Sequence, residues 1–350
     1  MVHLILMLTI ILAVSKYKNI RLTGCSFLIL ALFAVLRYDY GNDYNSYIKA
    51  YNSINHGIDV FVNEKLFTLL NKITPNFYVL IAITSLFFTY VIYRLVSKHL
   101  IGGFQGLAVL IFVINPYLFL MNLSAIRQCI AMCIFILAVK FLQDRKPIPY
   151  VVMILIASMF HLSALVLLPV YLFVNDKAMS KIQVFLLATA MILLLVEGGL
   201  VTSLMETGLT VLDNSEYAYQ YSEGLKNSLR ATLLTGIYFL YVALNLSYLK
   251  GYKLICGKMY LIGLFLGMLA IHFSMITRIQ MYFDIFSIIT IPSIMEYHLN
   301  AAEEGWKKII NLYFFPILLL MIYAARYYTF FTNPMWSPFG TYHTIFEAIL

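Results

Sequence analysis

Apolar runs long enough to cross a bilayer recur along most of this 350-residue chain, and no other feature narrows its fold as much. They occupy approximately 1–14, 22–36, 76–95, 104–122, 125–142, 182–204, 230–249, 259–276, 279–296 and 309–325, and a further apolar stretch at 150–174 is interrupted by His161. A hydrocarbon core about 30 Å thick takes about 20 residues of helix. In lipid each backbone N–H and C=O must be satisfied within the protein, which makes runs of this length helices. The expected fold is all-α, a polytopic transmembrane helical bundle of about 10–12 membrane segments. Only 11% of residues are charged and mean hydropathy is +0.86, whereas a soluble domain carries about 25% charge. No polar stretch is long enough for a separate soluble domain, so residues 1–350 read as a single integral membrane domain.

The net charge of +8 does not indicate a nucleic-acid partner, because the basic residues are scattered at helix ends rather than gathered on one face. Cys25, Cys129, Cys133 and Cys256 lie in or beside apolar runs, with no His or carboxylate near Cys129 and Cys133 to complete a metal site. The first run, Val2–Val14, lacks a basic start and a small-residue cleavage site, and reads as a retained helix. No internal repeat indicates an inverted-repeat transporter.

In a membrane protein scattered Lys and Arg encode orientation. They cluster in the connections 15–21, 94–99, 140–146, 177–181, 250–258 and 303–308, which are expected to be cytoplasmic. That assignment holds only if 150–174 enters and leaves on the same side; a single span would put the seven lysines of the last three clusters outside. The expectation is a hairpin of two short helices with His161–Ser163 at its tip, against the alternative of one long tilted span with a core histidine. Its first arm, 150–160, is 11 residues, or about 16 Å of helix. Irregular backbone at that depth needs protein or a wet cavity around it. Both termini then face outward, with outward loops at about 37–75 and 205–229 and an outward tail at about 326–350. In the first loop, VNEKLFTLLNKI (62–73) is amphipathic, and Leu66, Phe67, Leu69 and Leu70 are expected at the membrane interface.

The first loop opens on LRYDYGNDYNSY (36–47), which sets Arg37, Asp39 and Asp43 at the membrane surface. Charge beside hydrocarbon is costly and tends to be paired, wet or functional. Gly41 and Asn42 suit a turn, and four tyrosines, Tyr44 among them, add flat hydroxylated faces. Of the eight arginines, five (Arg37, Arg127, Arg230, Arg278 and Arg326) fall at outward helix ends, where orientation rules disfavour them. Arg offers a rigid, permanently charged fork that fits phosphate and carboxylate. Arginines converging at the outer mouth of a bundle would hold a polyanion whose tail lies in lipid, such as a lipid-linked pyrophosphate. His161 or Asp43 is then the candidate base for a sugar hydroxyl, and the arginines would stabilise the departing pyrophosphate.

These residues carry a resemblance. Arg37-x-x-x-Gly41-x-Asp43-Tyr44-x-x-Tyr47 resembles the opening motif of the EpsG/Wzy-like family of polysaccharide (O-antigen) polymerases, with Asn42 where that family usually has Thr. Ala125-Ile126-Arg127-Gln128-x-Ile130-Ala131, then Phe160-His161-x-Ser163-Ala164, and Arg278 before Met281-Tyr282-Phe283 are similar to its later segments, in order over about 250 residues. The resemblance implies a glycosyltransferase that joins undecaprenyl-pyrophosphate-linked oligosaccharides at the periplasmic face of the bacterial inner membrane, in lipopolysaccharide or other surface-polysaccharide biosynthesis. It implies no cofactor or metal, and as partners a chain-length regulator and a flippase. His161 and Asp43 are the expected catalytic residues; Arg37, Arg127, Arg278, Arg230 and Tyr44 are the expected substrate-binding ones.

Two other classes fit the residues less well. A lipid-linked oligosaccharide flippase calls for basic residues along an interior path, whereas these lie mainly at one surface. A membrane-bound O-acyltransferase with His161 as base lacks a partner Asn or Asp that aligns with it.

Overall fold

The computed structural model describes residues 1–17, 20–58, 60–61, 63–177, 229–273, 275–301 and 305–349, with three isolated positions at 189, 203 and 207. Within it the chain divides into two compact units, Met1–Asn175 with Ile291–Leu350, and Asp176–Thr290. Apart from the three isolated positions and the first residue of the next helix, the expected span at 182–204 and the outward loop at 205–229 lie outside the described residues.

The first unit opens with α1 (Val2–Val14) and α2 (Thr23–Val35), joined through the short antiparallel pair β1 (Lys16–Tyr17) and β2 (Ile20–Arg21). Strand β3 (Arg37–Tyr38) and helices α3 (Tyr44–Asn55) and α4 (Lys65–Ile73) form the first loop. Helix α5 (Phe77–His99) starts where the Asn76 side chain accepts from the Val79 N–H at 2.9 Å, and carries Lys98 and His99 in its last turn, against the negative end of its dipole. Helix α6 (Gly103–Ile114) lies so close to α1 that a Cβ at Gly106 would sit 2.7 Å from the Ala13 carbonyl oxygen. A buried aromatic layer of Phe27, Phe33, Phe88, Phe112 and Phe119 fills the space between α2, α5 and α6.

The run expected as one span at 104–122 is not one helix. It breaks at Asn115–Pro116 and resumes as α7 (Leu120–Ser124), because proline disfavours helical backbone before it and has no N–H of its own. Helix α8 (Ile126–Gln143) follows, then α9 (Pro147–Ser158), which begins on proline at its first turn.

After α9 the chain reverses. A 3₁₀ segment (Leu162–Leu167) and α10 (Val170–Phe173) run back along α9. The buried Tyr150 hydroxyl donates to the Leu167 carbonyl at 2.7 Å, and Arg145 Nη1 donates to the Val174 carbonyl at 3.2 Å. The segment is therefore the short-helix hairpin, with His161 at its turn, and not one long span.

The second unit holds α11 (Leu229–Asn245), α12 (Gly251–Leu269) and α13 (Ile276–Asp284). Helix α12 starts eight residues before the apolar run expected at 259, so the basic connection 250–258 is mostly helical, and Lys258 is buried with Nζ donating to the Lys177 carbonyl at 2.6 Å. The expected span at 279–296 likewise divides into α13 and α14 (Ser287–Asn300). The C-terminal part of the first unit is α15 (Trp306–Thr332), then a 3₁₀ turn, strand β4 (His343–Thr344) and α16 (Ile345–Ile349). Five of these helices are long and apolar enough to cross a membrane, and five shorter apolar helices accompany them, which makes the chain an all-α polytopic membrane protein.

Candidate functional site

At one end of the first unit the loop 37–75, the turn at 122–127, the hairpin tip and the tail meet. Arg37 is the brace. It is 2% exposed, and its Nη1 donates to the Ala34 carbonyl and to Ser85 Oγ while its Nη2 donates to the Leu123 carbonyl at 3.1 Å. One guanidinium thus ties the end of α2, the flank of α5 and the end of α7 together. The cavity beside it, lined by Ser85, Asn122 and Cys129 among others, holds about 10 Å³, roughly one water and far less than a phosphate.

Around Arg37 the chain turns tightly. Gly41 has φ +100°, and its N–H donates to the Pro338 carbonyl at 3.3 Å. Asn42 Nδ2 donates to the Met335 carbonyl, β3 pairs antiparallel with β4 (Arg37 opposite Thr344, Tyr38 opposite His343), and the Tyr342 hydroxyl donates to the Phe33 carbonyl at 2.7 Å. The tail therefore closes over the stretch 36–44. Asp43 is exposed, its N–H donating to Ser124 Oγ at 3.0 Å and its Oδ2 accepting from that hydroxyl at 3.3 Å. Tyr44 is 2% exposed and edge-on to Phe77. As placed, neither Arg37 nor Tyr44 is open to the direct substrate contact expected of it; both support the loop from beneath.

The groups left with access gather about Glu64, a residue that sequence reasoning did not single out. Glu64 stands immediately before α4, and its backbone position is fixed from the hairpin: the Met159 carbonyl accepts two N–H groups of the first turn of α4, from Leu66 at 3.1 Å and Phe67 at 3.3 Å. This is a helix cap supplied by another segment. Phe67 points inward, fully buried against Tyr47 and Phe61, instead of lying at the membrane interface.

From that position the Glu64 carboxylate makes three bonds. Oε2 accepts from Arg127 Nη1 at 2.5 Å; Oε1 accepts from His161 Nδ1 at 2.9 Å and from the Leu162 N–H at 3.3 Å. Burial by itself would raise the carboxyl pKa; the His161 hydrogen bond and the Arg127 charge outweigh it and hold Glu64 below the usual glutamate range. The Arg127 guanidinium also lies 4.2 Å from the Phe61 ring centroid and within 3.5 Å of the Tyr47 hydroxyl, a phenol that burial pushes up and keeps protonated. The side chains of Arg127 and His161 remain 27% and 17% exposed, against 8% for Glu64. A fixed cation and an imidazole thus share one carboxylate behind a partly open surface, an arrangement that can bind an anion and exchange a proton side by side.

The structure brings Arg127 and His161 together, with Asp43 tied to Ser124 three residues before Arg127. Arg230 and Arg278 belong to the second unit, each exposed in the first turn of its helix, α11 and α13. Arg326 lies in α15 with its guanidinium 5.8 Å from the Tyr323 ring. Among the described residues no three His, Cys, Asp or Glu side chains are grouped to hold a metal ion.

Glu64 escaped notice because an acid just before an amphipathic helix is ordinary dipole complementarity. Only the fold brings His161, 97 positions later, against it.

No curated protein and no solved structure matches the chain. A model of the EpsG family, however, matches residues 20–342, which include the stretch 36–47, the Arg127 turn, the hairpin and Arg278, and the chain belongs to the EpsG family.

Proposed function

We propose that this membrane protein is a surface-polysaccharide polymerase. It transfers an oligosaccharide from a lipid-linked pyrophosphate, of the undecaprenyl type, onto a sugar hydroxyl of another lipid-linked repeat unit at the periplasmic face of a bacterial inner membrane. Family membership supports the making of polysaccharide, and the observation that carries the reaction is the partly open Arg127–Glu64–His161 cluster at one end of an apolar bundle. In the transfer the bond from the anomeric carbon to the pyrophosphate oxygen breaks and its electron pair leaves with the pyrophosphate. The acceptor hydroxyl forms the new bond and gives up its proton to a base.

Arg127 serves the pyrophosphate, since a guanidinium fork matches its oxygens; Arg278 and Arg230, in the second unit, are separately assigned to the charge of the lipid-linked substrate. Arg37 and Tyr44 hold the loop, and Asp43 orders its turn through Ser124. His161 is the first choice of base and Asp43 the second. The greasy anchor stays in the bilayer, so the enzyme needs to enclose only the charged head and the sugars.

The test is polymer length on a gel from membranes carrying Arg127→Lys or Arg278→Lys. Loss of a donor to a developing charge costs about 10²–10³ in rate, so short or absent polymer is expected from each. Full-length polymer from both would overturn the pyrophosphate role, because Lys lacks the fork. A deletion strain that leaves single repeat units exposed outside supports the polymerase; units retained inside would point to transport across the membrane instead.

A further inference from the structure

The geometry points to Glu64 as the positioning residue that holds neutral His161 as its Nδ1–H tautomer and so leaves Nε2 as the proton acceptor. This inference rests on the polymerase reading for its chemistry, but its geometry stands apart from that reading. It also decides between the two candidate bases in favour of His161.

An ionised carboxylate only accepts hydrogen bonds. With Glu64 Oε1 2.9 Å from His161 Nδ1, the hydrogen of that bond must sit on Nδ1. The carboxylate is itself held in one orientation, because Arg127 takes Oε2 and the Leu162 N–H shares Oε1. The depressed carboxyl range of Glu64 is consistent with the ionised form. Nε2 has no hydrogen-bond partner among the described residues, on a side chain that is 17% exposed. The charged and titratable groups about the imidazole are Glu64 from the segment before α4 and Arg127 from α8, with the Tyr47 phenol of α3 against Arg127. Asp43 has no comparable preparation: it is exposed and its carboxylate is engaged by the Ser124 hydroxyl.

The arrangement gives each oxygen of Glu64 a separate task. Oε2 fixes the cation that would meet the leaving pyrophosphate, and Oε1 fixes the imidazole that would take the proton. A carboxylate behind a histidine sets its tautomer and steadies the imidazolium that forms during transfer. In the proposed step the acceptor hydroxyl proton moves to Nε2, and the proton already on Nδ1 stays there, bonded to Glu64.

Glu64→Gln isolates this role. Arg127 is always charged and only donates, and its charge outweighs the 3.3 Å Leu162 N–H bond at Oε1, so the amide turns its oxygen toward Arg127 and its NH₂ toward His161, giving up the Leu162 bond. Nδ1 then accepts, and neutral His161 carries its proton on Nε2, the wrong nitrogen for a base. The measurement is ¹⁵N NMR of the full-length protein, histidine-labelled, in lipid nanodiscs at about pH 8.5, above the ordinary imidazole range. His161→Gln assigns the His161 signals by their disappearance.

The expected result is Nδ1–H in the wild type and Nε2–H in Glu64→Gln. With it goes a loss of polymerisation turnover on the order of 10²–10⁴ at little change in KM. An Nε2–H wild-type signal would overturn the inference on its own, whether or not the variant folds, and so would an unchanged tautomer in Glu64→Gln. The expected tautomers together with undiminished polymer from Glu64→Gln and His161→Gln would overturn the role in proton transfer. Expected tautomers in a wild type that makes no polymer would instead remove the polymerase reading while leaving the Glu64–His161 geometry in place.

Discussion

Gly41 occupies a position that admits no other residue without cost. Its φ is +100°, and a Cβ there would lie 3.1 Å from Ser124 Cβ and 3.4 Å from Phe339 Cε1. Gly41→Ala is expected to cost about 1–3 kcal/mol of backbone strain, read as a lower thermal midpoint in detergent; an unchanged midpoint would mean that the turn does not hold residue 41 at positive φ. Glu64 gives a second prediction at this scale, with a definite sign. Its folded pKa lies below the ordinary value near 4.3, so its stabilising contribution is complete above that pH and disappears as pH falls through the lower folded value. The thermal midpoint of the wild type should exceed that of Glu64→Gln at neutral pH, and the gap should close on acidification. A gap that widens in acid would contradict the depressed carboxyl. The turn at Gly41 was legible in the stretch 36–47, because glycine and asparagine mark turns locally. Its partners were not: Ser124 and Phe339 are remote in sequence, and a contact between distant positions leaves no trace in either neighbourhood.

Two constraints meet in the hairpin at 147–174. Neither of its arms is long enough to cross a bilayer, and lysines beyond it demanded that the chain return to the side it came from. That demand could be read from charge alone. The fasteners could not: Tyr150 to the Leu167 carbonyl, and Arg145 to the Val174 carbonyl, are contacts that apolar periodicity does not encode. Tyr150→Phe keeps the ring and removes the hydroxyl, orphaning a buried carbonyl at an expected cost of about 1–2 kcal/mol. Thermal unfolding of the purified variant measures it, and a loss below about 0.3 kcal/mol would show that the two arms are not fastened there. Elsewhere an average of hydropathy hides a break. The Asn115–Pro116 pair marked a break within 104–122, yet the surrounding residues are apolar enough for a window average to pass over it. In α4 the periodicity identified an apolar face correctly but not what covers it, and Phe67 turned out to face Tyr47 and Phe61.

For the first unit as a whole, the question is which side each connection faces. Helix α5 runs for 23 residues, about 35 Å, so its two ends lie on opposite faces of a core about 30 Å thick. Arg37 bridges to Leu123, and Asp43 to Ser124, so the first loop and the α7–α8 turn share one end; the tail joins them through Pro338 and Met335. Lys98 at the far end of α5, and Asp144 beyond α8, fall on the other. Single cysteines introduced at Asn42 and Ser337, both exposed, should therefore react with a membrane-impermeant maleimide from the same side. Those introduced at Lys98 and Asp144, also exposed, should react only from the opposite one. Cys25 is exposed and must first be replaced, whereas Cys129, Cys133 and Cys256 are buried. Reactivity of Asn42→Cys and Lys98→Cys from one face would break this topology. It would also undo the proposed chemistry, which requires Arg127, Glu64 and His161 to face the compartment where the sugars are joined, away from the basic connections that positive-inside bias keeps in the cytoplasm.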